Sequence, residues 1–156
     1  FIMQQHYGFT PFEFSVCFGM NAIAVVISAA FAVKFRRIEN GVLLGSVGLF
    51  AFSVCEAVAL FFGCGFLVYE LFMLGILFSL GLCFTSSTTL AMDKGREFSG
   101  SASALLGAVS FAFGGIVSPL VGIGDPLRTV GIVFVACGVC SFVCLYITKK
   151  GEIHTH

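Results

Sequence analysis

Charged residues fall in short clusters along the chain, and the stretches between them carry none. Phe14 to Val33, Leu71 to Met92, Phe98 to Gly124 and Thr129 to Thr148 are uncharged runs of 20 residues or more. A helix rises about 1.5 Å per residue, so each run predicts a helix that crosses roughly 30 Å of hydrocarbon. A fifth run, Asn40 to Tyr69, is broken only by Glu56 and contains Gly63-Cys64-Gly65, a turn signal. Residues 40–92 therefore predict a helical hairpin of two spans with the glycine pair at the bend. The predicted spans are about 12–33, 41–62, 66–89, 99–122 and 128–148, five in all. The runs are solidly apolar and do not alternate over about ten residues, which favours helices over a membrane barrel.

Composition sharpens this into a class. Of 156 residues, 58% are hydrophobic and 10% charged, and the mean hydropathy is +1.07. Soluble domains carry about 25% charged residues, so a water-soluble enzyme is excluded and the expected surroundings are lipid. Eight basic residues against eight acidic ones leave no net charge to hold phosphates, which argues against a nucleic-acid partner. The basic residues also orient the chain. With five spans, Lys34, Arg36, Arg37, Lys94, Arg96, Lys149 and Lys150 fall on one side and Arg128 on the other. The positive-inside bias predicts cytoplasmic basic loops and a cytoplasmic C-terminus.

Residues 1–12 begin without methionine and have the character of the last turns of a helix followed by an outside loop. There is no basic segment ahead of a short apolar one, so a signal peptide is not indicated. An odd span number and a mid-helix start lead to the expectation that further transmembrane chain precedes this one.

The loops carry a resemblance. Phe84-Thr85-Ser86-Ser87-Thr88-Thr89-Leu90-Ala91-Met92, then Asp93 through Ala108 with its Gly100-Ser101-Ala102-Ser103-Ala104-Leu105-Leu106-Gly107-Ala108 pattern, then Gly114-Gly115-Ile116-Val117-Ser118-Pro119-Leu120-Val121-Gly122, resemble helices ten and eleven of the major facilitator superfamily. The small-residue pattern and Ser118-Pro119-Leu120-Val121-Gly122 are most similar to the bicyclomycin and chloramphenicol resistance (Bcr/CflA) branch of drug:proton antiporters. His6-Tyr7-Gly8-Phe9-Thr10-Pro11, with Phe14-Ser15 and Phe18, resembles that branch's link from helix seven to helix eight.

The resemblance implies an all-α integral membrane fold: five complete transmembrane helices plus the end of a sixth, the C-terminal half of a major facilitator bundle whose N-terminal half is missing. Such transporters rock two halves around a site near the bilayer midplane. The implied function is proton-coupled efflux of small amphipathic compounds, with the bilayer, the absent half, a small-molecule substrate and protons as partners and no cofactor. The implied location is a bacterial inner membrane. The turn Lys34-Phe35-Arg36-Arg37-Ile38-Glu39 sits where the second-half counterpart of the family's basic gating loop would lie. It lacks the full glycine, aspartate and arginine pattern, so topology-setting charge explains it as well as a gate. A non-transporting membrane subunit, whose polar groups only pack helices, is the alternative function.

Glu56 and Glu70 are the intramembrane acids, each a few residues from the glycine bend. Two carboxylates in one poorly solvated site cannot both stay ionised easily, which makes them candidates for proton handling. An acid this close to an interface can alternatively reach water. Gln4, Gln5, Asn21, Ser28 and the Thr85–Thr89 cluster should turn away from lipid. By position in the family fold, Gln4, Gln5, Asn21, Met73 and Phe78 are candidates for lining the substrate cavity; interhelical hydrogen bonding is the competing role for the polar ones.

Gly41 and Gly45 form a small-xxx-small pair, and Ala104, Ala108 and Ala112 place small side chains on one face of the fourth span, allowing close approach. Pro119 after Gly114-Gly115 predicts a kink; together with Gly107 these residues are hinge or packing candidates. Cys137, Cys140 and Cys144 lie at helical spacing with no histidine or charge nearby, and there cysteine acts as a small apolar residue, not a metal ligand. Gly122-Ile123-Gly124-Asp125 spells the string of intramembrane aspartyl proteases, but Asp93 lies in a loop on the opposite side. The expected role of Asp125 is an outside turn with a weak ion pair to Arg128. His6, His154 and His156 are all outside the spans, so no base stands beside a membrane serine.

Overall fold

The computed structural model describes the backbone of residue 3 and of residues 7–121 and 126–153, and the side chains of 3, 7–119 and 128–147. The order is α1 (Pro11–Ala32), α2 (Ile38–Phe61), α3 (Phe66–Lys94), a 3-10 turn (Arg96–Phe98), α4 (Ser99–Val121) and α5 (Pro126–Ile153). Five helices are long and apolar enough to cross a membrane, and the architecture is an all-α membrane one.

Local chemistry sets the ends. Thr10 and Glu13 form a capping box ahead of Pro11 at the first helical position: the Thr10 N–H donates to Glu13 Oε2 at 2.9 Å and the Glu13 N–H donates to Thr10 Oγ1 at 3.3 Å. The hairpin bend falls on the predicted glycines. Gly63 has φ +67, the Cys64 N–H donates to the Ala59 carbonyl at 3.0 Å, and the Gly63 N–H donates to the Leu60 carbonyl at 3.1 Å. That is a Schellman closure, which needs the left-handed conformation glycine adopts freely. Gly65 then starts α3.

α2, α3 and α5 are longer than predicted at the basic end. α3 continues through the Thr85–Thr89 cluster to Lys94, 29 residues, because the Thr89 hydroxyl is satisfied by the Thr85 carbonyl at 2.8 Å and no breaker precedes Gly95. At about 1.5 Å per residue this helix spans roughly 44 Å and outruns the hydrocarbon core.

α3 packs against α1 and α2, and α2 packs against α5. Glycines make these approaches. A Cβ on Gly45 would lie 2.6 Å from the Cys83 backbone nitrogen, one on Gly75 would lie 2.7 Å from the Phe52 ring, and one on Gly41 would collide with Ser86. Gly81 accepts Ser28 and Val25 of α1, and Gly138 of α5 lies against Phe50 and Ser53 of α2. Gly41 and Gly45 thus do what their spacing predicts.

α4 does not. No residue in its apolar window is buried, and Ala104, Ala108 and Ala112 are exposed. The small-residue face of α4 therefore makes no close helix approach to the described residues. The helix stays continuous through Pro119, and a Cβ on Gly107, Gly114 or Gly115 would meet nothing within 4 Å. Packing among the described residues does not explain those glycines. Cys137, Cys140 and Cys144 are exposed on α5.

Candidate functional site

The buried face of α2 runs through Gly41, Gly45, Ser46, Leu49, Ser53, Glu56 and Leu60. Apart from the adjacent Gly45 and Ser46, steps of three and four residues keep these positions on one side of a helix. The helix therefore presents small and polar groups to its neighbours while Leu44, Val47, Val54 and Phe61 are exposed. Two polar sites result, one toward each end.

The first lies near the hairpin bend. Glu56 is fully buried, and Glu70 on α3 is 8% exposed. The two carboxyl groups are within electrostatic reach of each other, and Asn21 of α1 lies against Glu70. None of the four carboxyl oxygens, nor Asn21 Oδ1, meets full hydrogen-bond geometry with a described partner. The expectation that these acids approach each other is met. Their proximity to the bend does not bring them to water: the carboxyl oxygens are buried, and Tyr7 and Tyr69 lie within electrostatic reach of Glu56.

Tyr7 and Tyr69 rings lie 5.8 Å apart, Tyr7 and Phe66 5.5 Å, and Phe9 and Phe66 4.4 Å. The Tyr7 hydroxyl donates to the Cys64 carbonyl at 2.9 Å, tying the segment before α1 to the bend. Burial, with Cys64 adding to it, pushes the Tyr7 phenol up to about 12. Met3, Leu60 and Tyr69 are the buried core of this cluster, and Met73 packs against it.

The other candidates are spread out. Gln4 and Gln5 lie outside the described residues, as do His6 and the Gly122–Asp125 string. Asn21 is buried at the α1–α3 contact beside Glu70. Phe78 lines an apolar hollow of about 520 Å³ with Ala24, Ile27, Phe52, Leu71 and Gly75, and its ring is 6.2 Å from that of Phe31. Met73, committed to the aromatic cluster, does not line that hollow. Ser28 is fully buried and donates to the Val25 carbonyl at 2.8 Å.

The second polar site was not anticipated. Ser141 Oγ of α5 donates to Ser46 Oγ of α2 at 3.2 Å, and Cys83 Sγ of α3 lies 3.4 Å from Ser46 Oγ, 3.9 Å from Ser87 Oγ and 4.0 Å from Ser141 Oγ. Each residue sits within an apolar run and looks unremarkable alone. The spacing of Gly41, Gly45, Ser46 and Ser53 was the available signal. Among the described residues no three His, Cys, Asp or Glu side chains converge as a metal site would need.

Compared with known proteins, the chain is 33% identical over 157 aligned residues, 96% of its length, to YdgK, an uncharacterized MFS-type transporter of Bacillus subtilis (strain 168). It spans 39% of that relative's length. No family model matches the chain. No solved structure matches it either. The chain is thus similar to part of an MFS-type transporter.

Proposed function

We propose that this chain is the second half of a major facilitator transporter that exports small amphipathic compounds in exchange for protons, with a cytoplasmic C-terminus in a bacterial inner membrane. The observation that carries the coupling is the Glu56–Glu70 pair: two buried carboxyls, within electrostatic reach and without a cationic partner among the described residues. Burying an unpaired charge is costly, so such a pair favours sharing a proton and releasing it only when the site opens to water. Asn21 would position Glu70, and the Tyr7–Phe9–Phe66–Tyr69 cluster would control access from the bend. Phe78 and its hollow support an apolar surface for the substrate; Gln4 and Gln5 are proposed to line the same path. α4, with open space beside Gly107, Gly114 and Gly115 and with Pro119 inside it, would flex.

Substrate flux against external pH, measured in the intact transporter, tests the coupling. Glu70→Gln is expected to flatten the pH dependence while leaving the protein in the membrane, with Glu56→Gln as the paired variant. Unchanged pH dependence in both variants would remove the carboxyls from the mechanism. The half-transporter reading itself predicts six further spans encoded in frame upstream, and a genuine start codon at this point would favour the non-transporting subunit.

A further inference from the structure

Glu56 and Glu70 stand at one level of the α2–α3 pair. Gly41 faces Ser86, Gly45 faces Cys83, Gly48 faces Ser79 and Gly75 faces Phe52, so each step of three or four residues along α2 is matched by a similar step back along α3. One further step, from Phe52 to Glu56 and from Gly75 to Glu70, leaves the two acids within about 1.5 Å of each other along the helix axes. Both lie on buried faces. α1 packs on α3 in the same direction, with Ser28 against Gly81 and the Phe31 ring 6.2 Å from that of Phe78. An offset between those of these two pairs carries Asn21 to Glu70, and its side chain lies against that carboxyl. Five buried oxygens result, two from each acid and Asn21 Oδ1, with no hydrogen-bond donor among the described residues. Asn21 is itself only 9% exposed. A proton shared between the carboxyls satisfies one oxygen of each and leaves the other three without a partner.

A metal cation coordinates several oxygens at once. The donors here are two carboxylates and an amide, and no three His, Cys, Asp or Glu side chains converge among the described residues, which selects a hard cation over a transition metal. The cost of removing an ion from water rises with the square of its charge. Five oxygens also fall short of the roughly six to eight that Ca²⁺ takes, and Mg²⁺ retains several waters. A monovalent ion fits these terms, and the glycine contacts that hold α2 close to α3 up to the turn before the pair favour Na⁺ over the larger K⁺. We infer that Glu56, Glu70 and Asn21 form a binding site for one monovalent metal cation of Na⁺ size. The ion takes the place of the shared proton: one Na⁺ enters, one H⁺ leaves to water, and the charge of the pair is unchanged. Cys17 of α1, Tyr69 of α3 and Tyr7 are the other titratable groups facing the pair, and none carries a positive charge that would compete. α5 meets this level of α2 with Gly131 against Ala57. The inference rests on the proposed reading of the pair as a proton-exchange site and adds the ion that competes there.

Thermal unfolding of the full 156-residue chain in detergent tests it, at neutral pH and constant ionic strength, with NaCl, KCl or CaCl₂ replacing choline chloride. NaCl should raise the unfolding midpoint and the effect should saturate, as for an ion that binds only the folded state; KCl and CaCl₂ should act only at much higher concentration. Glu70→Gln should lower the apparent Na⁺ affinity by about tenfold or more, and Asn21→Ala by a smaller factor. Glu97→Gln, which alters an exposed acid, should leave it unchanged. In weakly buffered micelles, Na⁺ added to the unmodified chain should release about one proton per ion bound, a readout that needs no variant to fold. Equal effects of NaCl and KCl overturn the inference, as does a Na⁺ effect that survives in both Glu56→Gln and Glu70→Gln. Stabilisation by Na⁺ without proton release overturns the exchange, and a CaCl₂ effect at or below the NaCl concentrations overturns the monovalent assignment. The two readings fail separately. Flux that keeps its pH dependence in both Gln variants, beside intact Na⁺ binding by the parent chain, removes proton coupling alone; flux that loses it, beside a parent chain indifferent to Na⁺, removes the cation site alone.

Discussion

Individual glycines differ sharply in what they do, although the sequence spells them alike. At Gly45 an added methyl would press on the Cys83 backbone at 2.6 Å, and backbone cannot swing aside as a side-chain end can. Gly45→Ala is therefore expected to destabilise the chain by about 1–3 kcal/mol, the usual cost of overpacking. At Gly107 there is open space, and Gly107→Ala should be neutral or slightly stabilising through helix propensity. Unfolding of both variants in mixed micelles checks the contrast; equal effects would mean that the α2–α3 approach is not what Gly45 serves. Tyr7 makes a second prediction at this scale. Its phenol is raised from 10 to about 12, so the folded state favours the protonated form. That contribution is present below pH 10 and disappears as pH rises through about 12. Stability should fall across that window in the parent chain and fall less in Tyr7→Phe, which loses the 2.9 Å bond to the Cys64 carbonyl at every pH. Parallel pH profiles would contradict the assignment.

Between elements, the distribution of burial separates α4 from the rest. α2 and α3 interlock through glycine contacts, and α5 joins through Gly138, while the α4 window has no buried residue. A spin label on Ala108→Cys should collide with lipid-dissolved oxygen as freely as one on an outward position such as Val47→Cys, and far more than one on Ser53→Cys. Protection of Ala108 in this chain would mean that α4 docks more closely than described.

This scale also shows what the sequence could disclose. Helix number and the Gly63–Gly65 bend were legible because charge and glycine mark span ends directly. Helix facing was harder to read, since lipid and protein interior are both apolar and Phe52 or Val54 differs little in hydropathy from Leu49 or Leu60. What distinguishes the inner face is small size and polarity, as in Ser46, Ser53 and Glu56 of α2, the reverse of the pattern that identifies a soluble core. The approach of Glu56 to Glu70 was legible because both lie a few residues from one bend. The approach of Tyr7 to Glu56 was not, since it depends on how the segment before α1 folds back, through the Tyr7–Cys64 bond. The Ser46–Cys83–Ser87–Ser141 cluster draws on three helices, and its meeting point follows from helix order in space, which composition does not encode.

At the level of the whole molecule, the glycine contacts bear on motion. Surfaces that interlock at backbone distance, as at Gly45 and Cys83 or Gly138 and Phe50, resist sliding, so α2, α3 and α5 should move as one body. Alternating access requires two such bodies rocking about a shared site, and under the proposed function this chain would be one of them. Its carboxyl pair is buried, Glu56 fully, so on the proposed function the pair would need the second body to open it first to one side and then to the other. Vesicles containing only these 156 residues are accordingly expected to accumulate no amphipathic substrate above protein-free vesicles under an imposed pH gradient. Proton leak should likewise match the protein-free level, because the acids meet neither solution. Accumulation above the control would show that two copies of this chain can serve as the two bodies. A proton leak abolished by Glu70→Gln would show instead that the pair opens without a partner, and would place the gate within this half.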